Sequence, residues 1–318
     1  MSQLTIDTTT AQPNTKTRAT LNICEDPELN PPFTIINGAK KGKTITILAG
    51  THGTEFPGIE AVTKLIDTLD PTEMSGTVIA FPVLNIPQFR ERTQFTTPID
   101  GLNLNEEFPG TPDGSYTQRL AHRVYEKAVK KSDALIDCHG GDINEDIKGF
   151  VVASSSGDQT LDRISLEMAS CYPTNLVHVF PSETHGMSNS AQKLYGIPCI
   201  QPEAGTPYPL REEAVQFHVE GIQNILKYLK ILPGEPARHQ QHVSPRRLKL
   251  LSQFNGSWEQ HVELDERVKT GQTLGAIKNL YGEPVQTLTT PEDGVISMTR
   301  CYYSVKKDEL LLVLSTID

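Results

Sequence analysis

Residues 44–55 read Thr-Ile-Thr-Ile-Leu-Ala-Gly-Thr-His-Gly-Thr-Glu. The first six are β-branched or aliphatic almost throughout and predict a buried core strand. Beyond them Phe56, Ile59, Val62, Ile66 and Leu69 recur at intervals of three or four, the spacing of an amphipathic helix. Strand, Gly-flanked turn and helix in that order form the repeating unit of an α/β fold, whose ligands collect where the strands end. His52 and Glu55 lie in that turn. An imidazole and a carboxylate three residues apart on a tight turn can converge on one cation.

The same alternation continues outward. Residues 78–83 predict a second strand, 116–129 a helix, 134–138 (ALIDC) a third core strand and 150–153 a fourth. Val215, Val219, Ile222, Leu226 and Leu229 form one face of a long helix. Together these predict a mixed, mainly parallel sheet flanked by helices. The pattern changes after Leu232. Residues 233–247 (PGEPARHQQHVSPRR) are polar and Pro-containing, as in a linker or an excursion at a domain edge. Short segments punctuated by Gly271, Gly275, Gly282 and Gly294 follow, the signature of a small C-terminal all-β domain, a sandwich or half-barrel. The expected organisation is therefore a catalytic domain over 1–232, a linker over 233–247 and a β domain over 248–318. Residues 1–18 form a flexible or edge segment of the first.

Bulk properties exclude several function classes. A net charge of −10 argues against a nucleic-acid partner or an anionic membrane surface. The longest apolar runs, such as 310–314, are far too short to span a bilayer, and the Thr-rich N-terminus lacks the apolar core of a secretory signal. The five cysteines carry no CxxC pair, which fits reduced thiols in a cytoplasmic enzyme. Self-association into a homo-oligomer stays open.

Catalytic zinc sites use three protein ligands and leave a fourth position to water. His139 is the third candidate beside His52 and Glu55, because strand 134–138 runs directly into it and Gly140-Gly141 follows. Asp137 is placed to orient a ligand from behind. Cys138 alternates to the opposite face and reads as a buried thiol. A hydrolytic site also needs a base that is not a ligand, and Glu203 ends a third strand-then-glycine stretch, 199–205 (CIQPEAG). Each motif alone is weak: HxxE is common on helix surfaces, a histidine after a strand is usually an ordinary turn residue, and Glu203 alone would read as a solvated loop carboxylate. Their coincidence at three strand ends carries the reading.

In combination these motifs resemble the succinylglutamate desuccinylase/aspartoacylase family of the zinc carboxypeptidase superfamily, over nearly the whole chain. GTHGTE is similar to the family's first ligand motif, DCHG to its second and PEAG to the segment bearing its catalytic glutamate. The resemblance implies a zinc-carboxypeptidase-like fold and one zinc ion per chain on His52, Glu55 and His139. It also implies Glu203 as general base and later proton donor, and a small β domain over the active site.

The middle motif departs from the family. Members usually carry TRY, a Pro-x-Asp-Gly turn, Asn-Leu-Asn-Arg and Phe-Pro-Gly; here the stretch runs Thr93-Gln94-Phe95, Pro98-Ile99-Asp100-Gly101, Asn103-Leu104-Asn105-Glu106 and Phe108-Pro109-Gly110. Gln94 stands where an oxyanion-stabilising arginine is expected, and Arg92 or Arg90 is near enough in sequence to fill the gap. Glu106 stands where an arginine would bind a substrate carboxylate, and its own charge would attract an amine instead. The expected substrate is thus a small N-acyl amine or N-acyl amino acid with a cationic or neutral group facing Glu106. Asn105 is expected to orient it, with Tyr208 and His185 as further lining residues. Two other readings remain, a metallocarboxypeptidase acting on peptides and a zinc-binding protein that has lost catalysis.

Overall fold

The computed structural model describes residues 3–181 and 186–317. Among them, thirteen strands hydrogen-bond into one sheet. Along its main path they run Thr15–Thr20, Pro32–Asn37, Ser75–Phe81, Lys40–Ala49, Ala134–Cys138, Cys199–Gly205, Glu145–Ser155, Gly294–Arg300, Leu310–Thr316 and Arg247–Leu251. The centre is parallel, with Lys40–Ala49 between Ser75–Phe81 and Ala134–Cys138, and Cys199–Gly205 beside the latter. Antiparallel strands extend it on both sides.

Side-chain alternation along the central strand builds two cores. Ile45, Ile47 and Ala49 pack on one face with Val62, Leu65 and Ile66 of helix Phe56–Thr68 and with Ile222 and Ile225 of helix Glu212–Tyr228. Leu48 faces the other side, with Leu120 and Val124 of helix Tyr116–Lys127. A sheet covered on both faces needs the near-continuous apolar run that residues 44–49 supply. Truncating a fully buried member such as Leu65 to alanine costs about 2–5 kcal/mol. Strand Ser75–Phe81 ends before Pro82, which has no N–H to donate. Helix Tyr116–Lys127 starts on a capping box of Ser115 and Gln118.

The last seventy residues divide between two sheets. Four antiparallel strands, Gly256–Gln260, Thr273–Lys278, Pro284–Thr289 and Ser304–Val305, form a separate sheet over a core containing Trp258, Leu274 and Ile277. Gly294–Arg300, Leu310–Thr316 and Arg247–Leu251 instead continue the main sheet, through the pairing of Met298 with Ile147. Within residues 233–247, His242–Ser244 is a short strand parallel to Leu176–Pro181. Three residues at a sheet edge need no apolar run, so polar sequence does not reveal them. At the N-terminus, Leu4–Ile6 and Thr9–Ala11 form a hairpin, and Thr15–Thr20 is an edge strand. No helix among the described residues is long and apolar enough to cross a membrane.

His178, on Leu176–Pro181, is buried edge-on against Phe150, with Nε2 3.0 Å from Ser315 Oγ. Burial, reinforced by the Arg247 charge, pushes its imidazole down to about 3. The unfolded chain therefore takes up a proton below about pH 6.5 that the folded chain refuses until about pH 3, so stability falls as pH drops through that window. The expected slope from this residue reaches about 1.4 kcal/mol per pH unit. Denaturant midpoints measured from pH 6.5 to 4 should decline less steeply in His178→Leu than in the parent; equal slopes would contradict this role.

Candidate metal centre

The parallel register sets Ala49 beside Cys138 and Leu48 beside Asp137, so the turns leaving these two strands meet at one sheet edge. Glu203 arrives there too, its backbone bridged to His139, whose N–H donates to Pro202 O at 2.9 Å. The 50–55 turn depends on two glycines. Gly50 adopts a φ of +64°, a region other residues rarely enter. A side chain at Gly53 would place its Cβ 2.3 Å from the backbone nitrogen of Phe89.

His52, Glu55 and His139 are buried, and one ligating atom from each lies within 4.8 Å of the others. Glu55 sits between the two rings, Oε1 2.7 Å from His52 Nδ1 and Oε2 2.9 Å from His139 Nδ1. The far nitrogens are both held from outside: His52 Nε2 lies 3.0 Å from Asn103 Oδ1, and His139 Nε2 3.0 Å from Asp137 Oδ2. Those acceptors keep a proton on each Nε2 and turn both Nδ1 atoms toward Glu55. Thr51 Oγ1 donates to the other oxygen of Asp137 at 2.8 Å, so the support is itself supported.

Charge in the cluster fits a cation. Burial alone pushes His139 down, but the Asp137 and Glu55 carboxylates overcome it and hold its pKa well above the usual imidazole range. Burial likewise opposes charge on Glu55, and the two imidazoles outweigh it, lowering that carboxyl. The site thus holds protons between two nitrogens and a carboxylate, where a divalent ion can replace them. Two imidazole nitrogens and one carboxylate oxygen form a donor set that zinc accepts.

These residues open on a cavity of about 480 Å³ that Gln94, Asn105 and Glu203 also line. Burial is the main push on Glu203, whose carboxyl rises to about 7 despite the opposing His139 charge. Glu145, in the same cavity, is likewise pushed up to about 7 by burial. Gln94 is carried by a loop fastened at both sides, Gln88 Nε2 donating to Thr93 O at 2.9 Å and Phe95 N–H to Asp142 Oδ2 at 2.7 Å. Asp142 Oδ1 accepts from Thr54 Oγ1 at 2.7 Å, tying this loop to the His52 turn. Asn105 Oδ1 is buried and has no hydrogen-bond partner among the described residues.

Other sequence candidates lie outside that cavity. Arg92 is exposed and closes helix Ile86–Glu91 in the left-handed conformation, while Arg90 pairs with Glu28 at 3.0 Å. Glu106 is exposed and accepts from Asn103 Nδ2 at 3.3 Å. Tyr208 is 88% exposed, and His185 lies outside the described residues. Cys138 belongs to the core beneath the sheet. Residues not singled out from sequence complete the wall: Arg247, Lys249, Met298, Arg300 and Glu309 come from the C-terminal strands and their loops. A more open depression of about 630 Å³ contains none of the cluster, and its Arg211 and Lys148 are paired with Asp146 and Asp265.

Comparison with known proteins places this geometry among relatives. The N-alpha-acetyl-L-2,4-diaminobutyric acid deacetylase of Halomonas elongata is 27% identical over 294 residues, covering 90% of this chain and 85% of that protein. A succinylglutamate desuccinylase structure from Silicibacter sp. TM1040 superposes with a TM-score of 0.84 at 25% identity, over 91% of this chain and 89% of the other. The product-bound ectoine utilization protein EutE (DoeB) of Ruegeria pomeroyi shares the fold at a TM-score of 0.83 and 23% identity, covering 90% and 88% of the two chains. Residues 41–229, which carry both histidines, Glu55 and Glu203, match the profile of the succinylglutamate desuccinylase/aspartoacylase catalytic domain. The chain belongs to the succinylglutamate desuccinylase/aspartoacylase family.

Proposed function

We propose that this chain is a zinc-dependent deacylase that hydrolyses the amide bond of a small N-acyl amine or N-acyl amino acid. The observation that carries the reading is a buried His-Glu-His donor set sharing one cavity with a carboxylate, Glu203, that is not part of that set. Bound at His52, Glu55 and His139, zinc would acidify a water and polarise the scissile carbonyl. Glu203 takes the proton from the attacking water and returns it to the nitrogen of the breaking C–N bond. A carboxyl near 7 suits both transfers at neutral pH. Gln94 donates a hydrogen bond to the developing oxyanion, and the unpartnered Asn105 Oδ1 accepts one from the substrate.

The membership of a deacylase family and the likeness to the Halomonas deacetylase support this reaction class. A cavity of about 480 Å³ suits a small ligand better than a peptide. Selection of a cationic group by Glu106 gains no support from that residue's exposed position outside the cavity wall.

Three outcomes are expected. Elemental analysis should find about one zinc per chain, lost in His139→Ala, and chelation should lower both turnover and melting temperature until zinc is restored. Protein without metal would sink the proposal. Glu203→Gln should keep its zinc but lose about 100- to 10,000-fold in kcat. Gln94→Ala should lower kcat about 100- to 1000-fold, with a smaller change in KM. Turnover is to be read on N-acetyl and N-succinyl amino acids, N-acetyl diamines and short peptides. Cleavage of peptides alone would favour a carboxypeptidase, and zinc without any turnover a binding protein.

A further inference from the structure

Asp142, three residues after His139, is fully buried, makes no ion pair among the described residues and has no part in the mechanism above. Its carboxylate accepts three hydrogen bonds. Oδ1 takes Thr54 Oγ1 at 2.7 Å and the neighbouring Ile143 N–H at 2.6 Å, and Oδ2 takes Phe95 N–H at 2.7 Å. Burial pushes the carboxyl upward, and the same three donors oppose it. Glycines bring it there. A Cβ at Gly140 would lie 2.6 Å from Ala204 O and one at Gly141 2.3 Å from Glu145 O, so the chain between His139 and Asp142 is pressed against its neighbours.

The segment that Asp142 holds is strained. Arg92 and Phe95 have φ of +55° and +54°, in the left-handed region that residues with a side chain rarely enter. They bracket Thr93 and Gln94, and Gln94 lines the cavity. A conformation of that kind persists only where the surroundings impose it. Arg92 has the ordinary support of a helix end, its N–H donating to Gln88 O at 2.8 Å. Phe95 closes no helix: its N–H goes to Asp142, and its ring stands edge-on to His52 with the centroids 5.7 Å apart. The carboxylate that meets the strain also grips the turn bearing His52 and Glu55.

We infer that Asp142 is a positioning residue for catalysis, fixing the Gln94–Phe95 backbone to the His52 turn and so aiming the Gln94 amide at the oxyanion. A carboxylate suits that post because each of its two oxygens accepts from a different segment, whereas an amide of the same shape has a single acceptor oxygen. The inference rests on the deacylase reading for the oxyanion.

Zinc-loaded Asp142→Ala and Asp142→Asn proteins test it. Asp142→Ala should lower kcat about 10- to 100-fold, the scale of a reacting group displaced by about 1 Å, with KM changed little. Asp142→Asn should lose less, and it carries the test if the alanine variant does not fold. Zinc affinity, read by chelator competition, should stay at the parent value in both. Combined with Gln94→Ala, either substitution should cost little further kcat, because the group that Asp142 aims is gone. Thr54→Val should also lower kcat and add little to Asp142→Ala. Apart from turnover, exchange of the Phe95 amide hydrogen should speed up about 10-fold or more in Asp142→Ala, as expected when a hydrogen bond to a charged group is lost. Equal kcat losses with and without Gln94 would overturn the inference, as would a fall in zinc affinity that matches the fall in kcat. Unchanged exchange at Phe95 would overturn it too. If exchange and zinc affinity behave as expected but the parent cleaves no acyl amide, the deacylase reading fails and the hold of Asp142 on the loop stands.

Discussion

Everything in the site hangs on one register. Pairing of Lys40–Ala49 with Ala134–Cys138 sets Ala49 against Cys138, so a turn that begins at Gly50 and a turn that begins at His139 leave the sheet side by side. Parallel strands leave a sheet at the same edge, which makes that edge a natural place for groups to converge. A slip of one residue would put the side chains of 134–138 on the wrong faces and send Asp137 into a core built for Ile136 and Cys138. The buried aliphatic layers on both sides forbid that slip. Hydrophobic packing thus positions the imidazoles, although it touches neither of them.

On that frame the local electrostatics are nested. Glu55 draws both Nδ1 atoms inward, and Asp137 and Asn103 hold the opposite nitrogens from outside. Thr51 braces Asp137, and Asp142 links the His52 turn to the Gln94 loop. Buried polar groups of this kind are stable only when nearly all are matched. Three atoms of residues that line the cavity, Asn105 Oδ1, Arg247 Nε and Arg300 Nε, are buried without a hydrogen-bond partner among the described residues.

The C-terminal strands bear directly on the chemistry. They extend the catalytic sheet through the Met298–Ile147 pairing and provide one wall of the cavity. Burial under that wall raises Glu203 and Glu145 together, and Arg247 opposes the rise in both. Glu203 and Glu145 therefore lie at a boundary made from two distant parts of the chain.

How much of this was legible beforehand follows from range. The strand over 44–49, the helix after it and the grouping of His52, Glu55, His139 and Glu203 at strand ends were all readable, because side-chain periodicity and glycine turns act over a few residues. Strands Pro32–Asn37 and Leu176–Pro181 carry no clear signal: a proline pair leads into the first, and the second is a short run whose buried histidine resembles a surface residue. The placement of Glu106 outside the cavity and of Arg247 inside it was beyond reach. Motif alignment fixes the order of residues along the chain, whereas the side of a wall on which a side chain lies depends on what packs against it. Arg247 lies about a hundred residues from Phe150 in sequence, and only the pairing of Arg247–Leu251 with Leu310–Thr316, and through it with the catalytic sheet, brings the two together. The sequence alone determined the His-Glu-His cluster and the strand ends that carry it; the tertiary structure decided which charges line the cavity, because that depends on contacts between segments that no local pattern encodes.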